Sequence, residues 1–350
     1  MTRSLRRWRN LDEVRNSSTS SANPAVKCLF VRAAGGENGL KDRKKKLELP
    51  ALATEQVNAG FQNLDQKSAL EIAQIINAED TKVASAVKRA LPQVAHAIDL
   101  VADAIGHGGR LIYVGAGTSG RIAALDAAEC PPTFNVDPES VQFVMAGGPK
   151  ALSAAAEAYE DSRPLGVREM AKRKPRENDV VVGVAASGRT PFTIAALEYA
   201  RQRGAKTIAV TSNPNSPLEH AADLAIMVDA GPEVISGSTR MKAGTVQKMI
   251  LNMLSSGAMV LLGYVYGNLM ANVHVKNTKL TARAINILER AAKVGPDRAR
   301  KALTSARNQV PVALVMLTAN VNRQAAEKAL KKAHGHIRRA IALATSGKTS

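Results

Sequence analysis

A chain of 350 residues with 45% hydrophobic content can bury a full core, which excludes a disordered or fibrous protein and fits one large domain with an appendage or two modest domains. The formal charge of +18 raises nucleic-acid binding, but residues 1–46 hold twelve Lys and Arg against four Asp and Glu, aromatic residues are only 3%, and no nucleic-acid motif appears. The richest apolar region, 249–266, is broken by Asn252, Ser255, Ser256 and glycines, so no run reaches the roughly 18 residues of a membrane span.

Neither nucleic acid nor membrane is therefore expected as a partner. The two cysteines, Cys28 and Cys130, lie far apart in unlike settings, which speaks against a disulfide framework and for a reducing compartment, the cytoplasm. The six histidines include no clustered Cys/His spacing, so no metal is expected, and no cofactor.

Residues 1–46 mix arginines, a serine run and a basic block without apolar periodicity, the composition of a disordered extension. From Leu49 the character changes. Ser68 and Glu71 have the spacing of a capping box ahead of a helix, and 80–90 and 92–106 carry apolar residues at helical spacing. The next stretch, R-L-I-Y-V-G-A-G-T-S-G-R over 110–121 followed by an alanine-rich run to Pro131 and Pro132, reads as strand, loop and a short helix stopped by the prolines.

In that loop Gly117, Thr118 and Ser119 offer close backbone approach, free amides and hydroxyls, which is a phosphate cradle. The spacing also satisfies G-x-G-x-x-G, but a dinucleotide site wants an acidic residue at the end of the following strand. The segment 141–145 ends instead in Ala146-Gly147-Gly148.

Beyond it the pattern alternates: strand 141–145, helix 149–159, strand 179–185, helix 191–203, strand 206–211, helix 217–222 and strand 224–228. Near-continuous apolar strands separated by helices mean an α/β sandwich, a parallel sheet covered on both faces with ligand loops at its carboxyl ends. Ser187, Gly188, Arg189 and Thr190 form a second anion cradle between strand and helix. Ser238, Thr239, Arg240 and Lys242 crowd the start of a helix running to 262 and make a third, where the helix dipole also favours an anion. From 278 onward short helices at 282–292, 296–305, 311–317 and 323–334, the last followed by one more turn, suggest an appendage of three or four helices.

Cys130 has no nearby histidine and reads as a packing residue. Ser119 and Ser187 lack the G-x-S-x-G elbow of a hydrolase and read as ligand hydroxyls.

Taken together, Thr54-Glu55, G-A-G-T-S-G-R, Glu129-Cys130-Pro131-Pro132-Thr133, A-S-G-R-T-P and G-P-E-V-I-S-G-S-T-R-M-K-A-G-T resemble the N-acetylmuramic acid 6-phosphate etherase family, from about Leu49 to the C-terminus. The resemblance implies a sugar isomerase (SIS) fold over 47–277, a three-layer sandwich with N-terminal helices, and a small helical domain over 278–350. It also implies a cytoplasmic homodimer whose sites are completed at the subunit interface. The substrate would be a phosphorylated amino sugar, whose lactyl ether is cleaved by elimination and then hydration during cell-wall recycling. Glu129 matches the family's proton donor and Glu160 its second catalytic glutamate. The chain departs from the family at Ile122-Ala123, at Glu157 to Asp161, and at Asn135, where glycine is usual. The same loops would serve a non-catalytic phosphosugar-binding regulator, such as the related glucokinase regulatory protein, or a phosphosugar isomerase.

Overall fold

The computed structural model describes residues 52–154, 157–273, 275 and 277–346; the extension expected over 1–46 lies outside them. Five parallel strands form one sheet in the order β2-β1-β3-β4-β5: β1 (Leu111–Gly115), β2 (Val141–Met145), β3 (Val180–Val184), β4 (Lys206–Thr211) and β5 (Leu224–Met227). β1 and β3 are buried along their whole length, as strands sandwiched between helical layers must be.

One layer holds α1 (Ala69–Arg89), α2 (Leu91–Gly106), α3 (Gly117–Phe134) and α7 (Lys242–Leu261). Opposite lie α4 (Arg163–Arg173), α5 (Pro191–Gln202) and α6 (Pro217–His220). The period of β1 divides its side chains accordingly: Leu111 and Tyr113 enter the first core, Ile112 and Val114 the second. After β1 the chain passes to β2 on one side, and after β2 it returns to β3 on the other. The helices following β1 and β3 leave on opposite faces, which opens a crevice at the carboxyl ends of those two strands.

The capping box at Ser68 forms: its amide donates to Glu71 Oε2 at 2.8 Å, and the Glu71 amide donates back to its hydroxyl. Three sequence expectations need correction. α3 is neither short nor stopped by the prolines; it starts at Gly117 and carries Pro131 and Pro132 within its last turns, ending at Asn135 in the left-handed region that asparagine tolerates better than other non-glycine residues.

The helix expected over 149–159 is replaced by 3-10 turns at Gly148–Leu152 and Glu157–Tyr159, because Gly147 and Gly148 both take positive φ and misdirect the entry. The helix of this crossover is α4, overlooked because it is short and strongly charged; its signals are the Ser162 cap and Pro164 in the first turn.

Among the described residues the C-terminal region holds five helices rather than three or four: α8 (Thr278–Ala292), α9 (Pro296–Ser305), α10 (Val310–Ala319), α11 (Arg323–Lys332) and α12 (Ile337–Ser346). The segment read as a final turn is α12. These helices share a hydrophobic core of their own around α10, and Asn272 Nδ2 donates to the Phe134 carbonyl at 2.7 Å, joining them to the end of α3. Among the described residues no helix is long and apolar enough to cross a membrane.

Candidate active site

The apolar residues of β1 end at Gly115, and the chain turns at once into α3, so Gly117, Thr118 and Ser119 form its first turn. No acceptor within the described residues takes the amides of these three, while Gly120 N already donates to Ala116 O. Such unpaired donors at a helix start, reinforced by the dipole, are able to receive an anion.

Glu160 reaches this point from the far side of β1. A Cβ on Gly117, whose φ is +52°, would lie 3.0 Å from Glu160 Oε1, so glycine here lets the carboxylate approach the helix start. The Glu160 carbonyl accepts from Phe192 N at the start of α5, which holds the same residue against the second cradle. Arg121 secures the intervening loop by donating from Nη2 to Ala154 O at 2.9 Å and from Nε to Leu152 O at 3.3 Å. Burial pushes the Glu160 carboxyl above its ordinary range, repulsion from Glu157 and Asp161 adds to this, and Arg121 opposes it.

In the second cradle Ser187 Oγ accepts from Arg189 N at 3.2 Å, and among the described residues neither hydrogen bond nor ion pair engages the exposed Arg189 guanidinium. Gly188 fits tightly, its amide bonded to Ala185 O and its carbonyl accepting from Leu218 N. Thr190 sits half-buried at the start of α5.

The third cradle is built differently from its sequence reading. Glu233, buried and not anticipated, accepts from Lys242 N and Ala243 N at 2.9 Å each. A carboxylate of the chain itself thus occupies the start of α7 and satisfies the donors an external anion would need. Lys242 does not face the crevice either: only 2% exposed, its ammonium pairs with Glu79 at 2.6 Å and donates to Ala230 O at 2.9 Å. Among the described residues no hydrogen bond or ion pair engages the side chains of Ser238, Thr239 or the exposed Arg240 on this loop. It lies against the first cradle, since a Cβ on Gly244 would meet Thr239 O at 3.5 Å and Thr118 Cγ2 at 3.7 Å.

Glu129 stands apart. It lies on α3 twelve residues beyond Gly117, about 18 Å along the axis at 1.5 Å per residue, so one chain does not join it to the first cradle. Its side chain is exposed and makes no hydrogen bond or ion pair among the described residues, and it shares that outer face with Leu125.

The opposite face of α3 is anchored. Asp126, buried, accepts from Tyr113 Oη at 2.8 Å, Ser255 Oγ at 3.1 Å and Asn252 Nδ2. Cys130 is buried on the same side, and burial, with the Asp126 charge adding to it, pushes its thiol up to about 12, which removes it as a nucleophile.

Residues 93–201 match the model of the glucokinase regulatory protein N-terminal SIS domain, and residues 167–256 that of the SIS domain. N-acetylmuramic acid 6-phosphate etherase 1 of Bacillus licheniformis is 48% identical over 295 residues, covering 84% of this chain and 97% of its own. The protein called N-acetylmuramic acid 6-phosphate etherase 1 in Enterococcus faecalis is 47% identical over 85% of this chain and 99% of its own, and the etherase of Bacillus pumilus is 49% identical over 84% and 97%. Identity at this level along nearly the full length of each relative, over a sheet whose carboxyl edge carries the paired cradles and Glu160, makes the chain a member of the N-acetylmuramic acid 6-phosphate etherase family.

Proposed function

We propose that this protein cleaves the C3 lactyl ether of N-acetylmuramic acid 6-phosphate, giving N-acetylglucosamine 6-phosphate and D-lactate in the cytoplasm. The observation that carries the chemistry is the Glu160 carboxyl, set against the free amides of the α3 start and raised above its usual range by burial first and repulsion second.

An ether oxygen at C3 is a poor leaving group until C2 loses a proton, and the aldehyde of the open-chain sugar makes that proton acidic. Glu160 takes the C2 proton; a carboxylate with an elevated pKa is the stronger base for this step. The C3–O bond then breaks, the departing lactate oxygen receives a proton from Glu129, and water adds at C3 of the unsaturated aldehyde while C2 is reprotonated. The amides of Gly117, Thr118 and Ser119, with Ser187, Arg189 and Thr190, hold the phosphate; Gly188, expected among them, has its amide committed to Ala185 O and instead shapes the turn. Ser238, Thr239 and Arg240 close the crevice over it. Lys242 acts through its buried pair with Glu79, keeping α7 in place.

An open-chain hexose phosphate is much shorter than the three turns of α3 between the first cradle and Glu129. The active molecule is therefore a homodimer in which Glu129 enters the site of the other subunit, and Leu125, 56% exposed on the same face, supplies apolar surface for that contact.

The decisive experiment incubates the protein with N-acetylmuramic acid 6-phosphate in oxygen-18 water and follows products by mass spectrometry. The expected result is unlabelled D-lactate and an amino sugar carrying oxygen-18 at C3. Substrate binding without lactate release would overturn the etherase reading in favour of a phosphosugar-binding regulator.

The pH profile offers a second check. Replacing Glu157 by glutamine removes one of the two repulsions that raise Glu160, so the ionised base persists to lower pH and the acidic limb of the kcat profile moves down in pH. Rates of lactate release measured across the acidic range read this shift, and an unmoved limb would detach Glu160 from the rate.

A further inference from the structure

A stretch far from the three loops in sequence also reaches the crevice. The short turn Ala53–Glu55 precedes α1, and its backbone is stitched to the site from two directions. Asn213, 1% exposed just beyond β4, accepts from Ala53 N at 2.8 Å through Oδ1. Its Nδ2 donates to Thr54 Oγ1 at 3.2 Å and to the Ala186 carbonyl of the second cradle at 3.0 Å. From the other side Gly237 N donates to Thr54 O at 3.2 Å, and Ser236 Oγ donates to Glu55 O at 3.1 Å.

The segment thus bridges the loop after β3 to the loop before α7. At this junction Gly237 takes a φ of +77°, and a Cβ there would lie 3.2 Å from Glu55 Oε2. The Glu55 backbone is tied down while its half-buried carboxylate makes no hydrogen bond or ion pair among the described residues.

We infer that Glu55 is a specificity-determining residue of this crevice, its carboxylate accepting from hydroxyl or acetamido N–H donors on the sugar end of the ligand. An ionised carboxylate offers only acceptors and repels a phosphate. The phosphate accordingly lies toward the amides of α3 and the hydroxyl and guanidinium groups of the second cradle, and Glu55 faces the neutral donors. Asn213 is a positioning residue for it. The inference rests on the crevice holding a phosphorylated amino sugar.

Calorimetric titration of the full chain separates the two ends of the ligand, with N-acetylglucosamine 6-phosphate as one probe and inorganic phosphate as the other. Loss of a charge-assisted hydrogen bond should weaken the sugar phosphate about tenfold or more in Glu55→Ala, less in Glu55→Gln, which keeps one acceptor. Inorganic phosphate should bind all three proteins alike. Unchanged sugar-phosphate affinity in Glu55→Ala, or equal loss for both probes as from a displaced loop, would overturn the role of Glu55 while leaving lactate release by the wild type to stand. Failure of the wild type to bind the sugar phosphate would overturn both.

Discussion

Glu160→Gln is expected to lower kcat for lactate release by about 10²–10⁴-fold, the usual contribution of a positioned acid or base, while N-acetylglucosamine 6-phosphate still binds. Glutamine keeps the shape of the side chain at Gly117 and the backbone link to Phe192, which uses only the Glu160 carbonyl. What it removes is the carboxylate that accepts the C2 proton. Exchange of solvent deuterium into C2 should fall in parallel, since this is the step assigned to Glu160. Stopped lactate release with C2 exchange intact would move Glu160 to the leaving-group step and make Glu129 the base.

A mixture of two inactive variants should regain activity. In a dimer that pairs Glu129→Gln with Glu160→Gln, one site receives Glu160 from the first chain and Glu129 from the second, and the other receives neither. With random reassortment half the dimers are mixed and each has one intact site, so about a quarter of wild-type activity returns. Co-expression of differently tagged chains, followed by purification through both tags, isolates the mixed dimer. A mixed dimer as inactive as its parents would show that both glutamates serve one site from the same chain, and α3 would then have to break or shift to close the separation between Gly117 and Glu129.

Much of the architecture was legible because its signals are local. The apolar runs at β1, β3 and β4, the Ser68 capping box and the proline and glycine punctuation each act within one or two turns of chain. α4 escaped because a short charged helix carries little apolar periodicity, and the turns at Gly148–Leu152 escaped because two glycines at positive φ redirect an otherwise helical composition. The unpaired amides of the first cradle were legible for the same local reason, small and hydroxyl residues between a strand and a helix; in the second the amides of Gly188, Arg189 and Phe192 are taken within the chain, and what stays exposed is the Arg189 side chain.

The sequence by itself determined the family, the order of the five strands, and the loop whose amides are left unpaired at the start of α3. Only the tertiary structure decided what each charged group is free to do. Glu233 and Glu160 are both acidic residues in loops, yet one is spent on the amides of α7 and the other stands open and desolvated beside α3. Lys242 and Arg240 are basic neighbours, yet Lys242 is buried against Glu79, 163 residues away, and Arg240 is exposed. Glu129 and Gly117 share a helix but stand about 18 Å apart along it. The physical reason is that a charge is governed by its desolvation and by the partners packed around it, and in this fold those partners come from elements far apart in the chain.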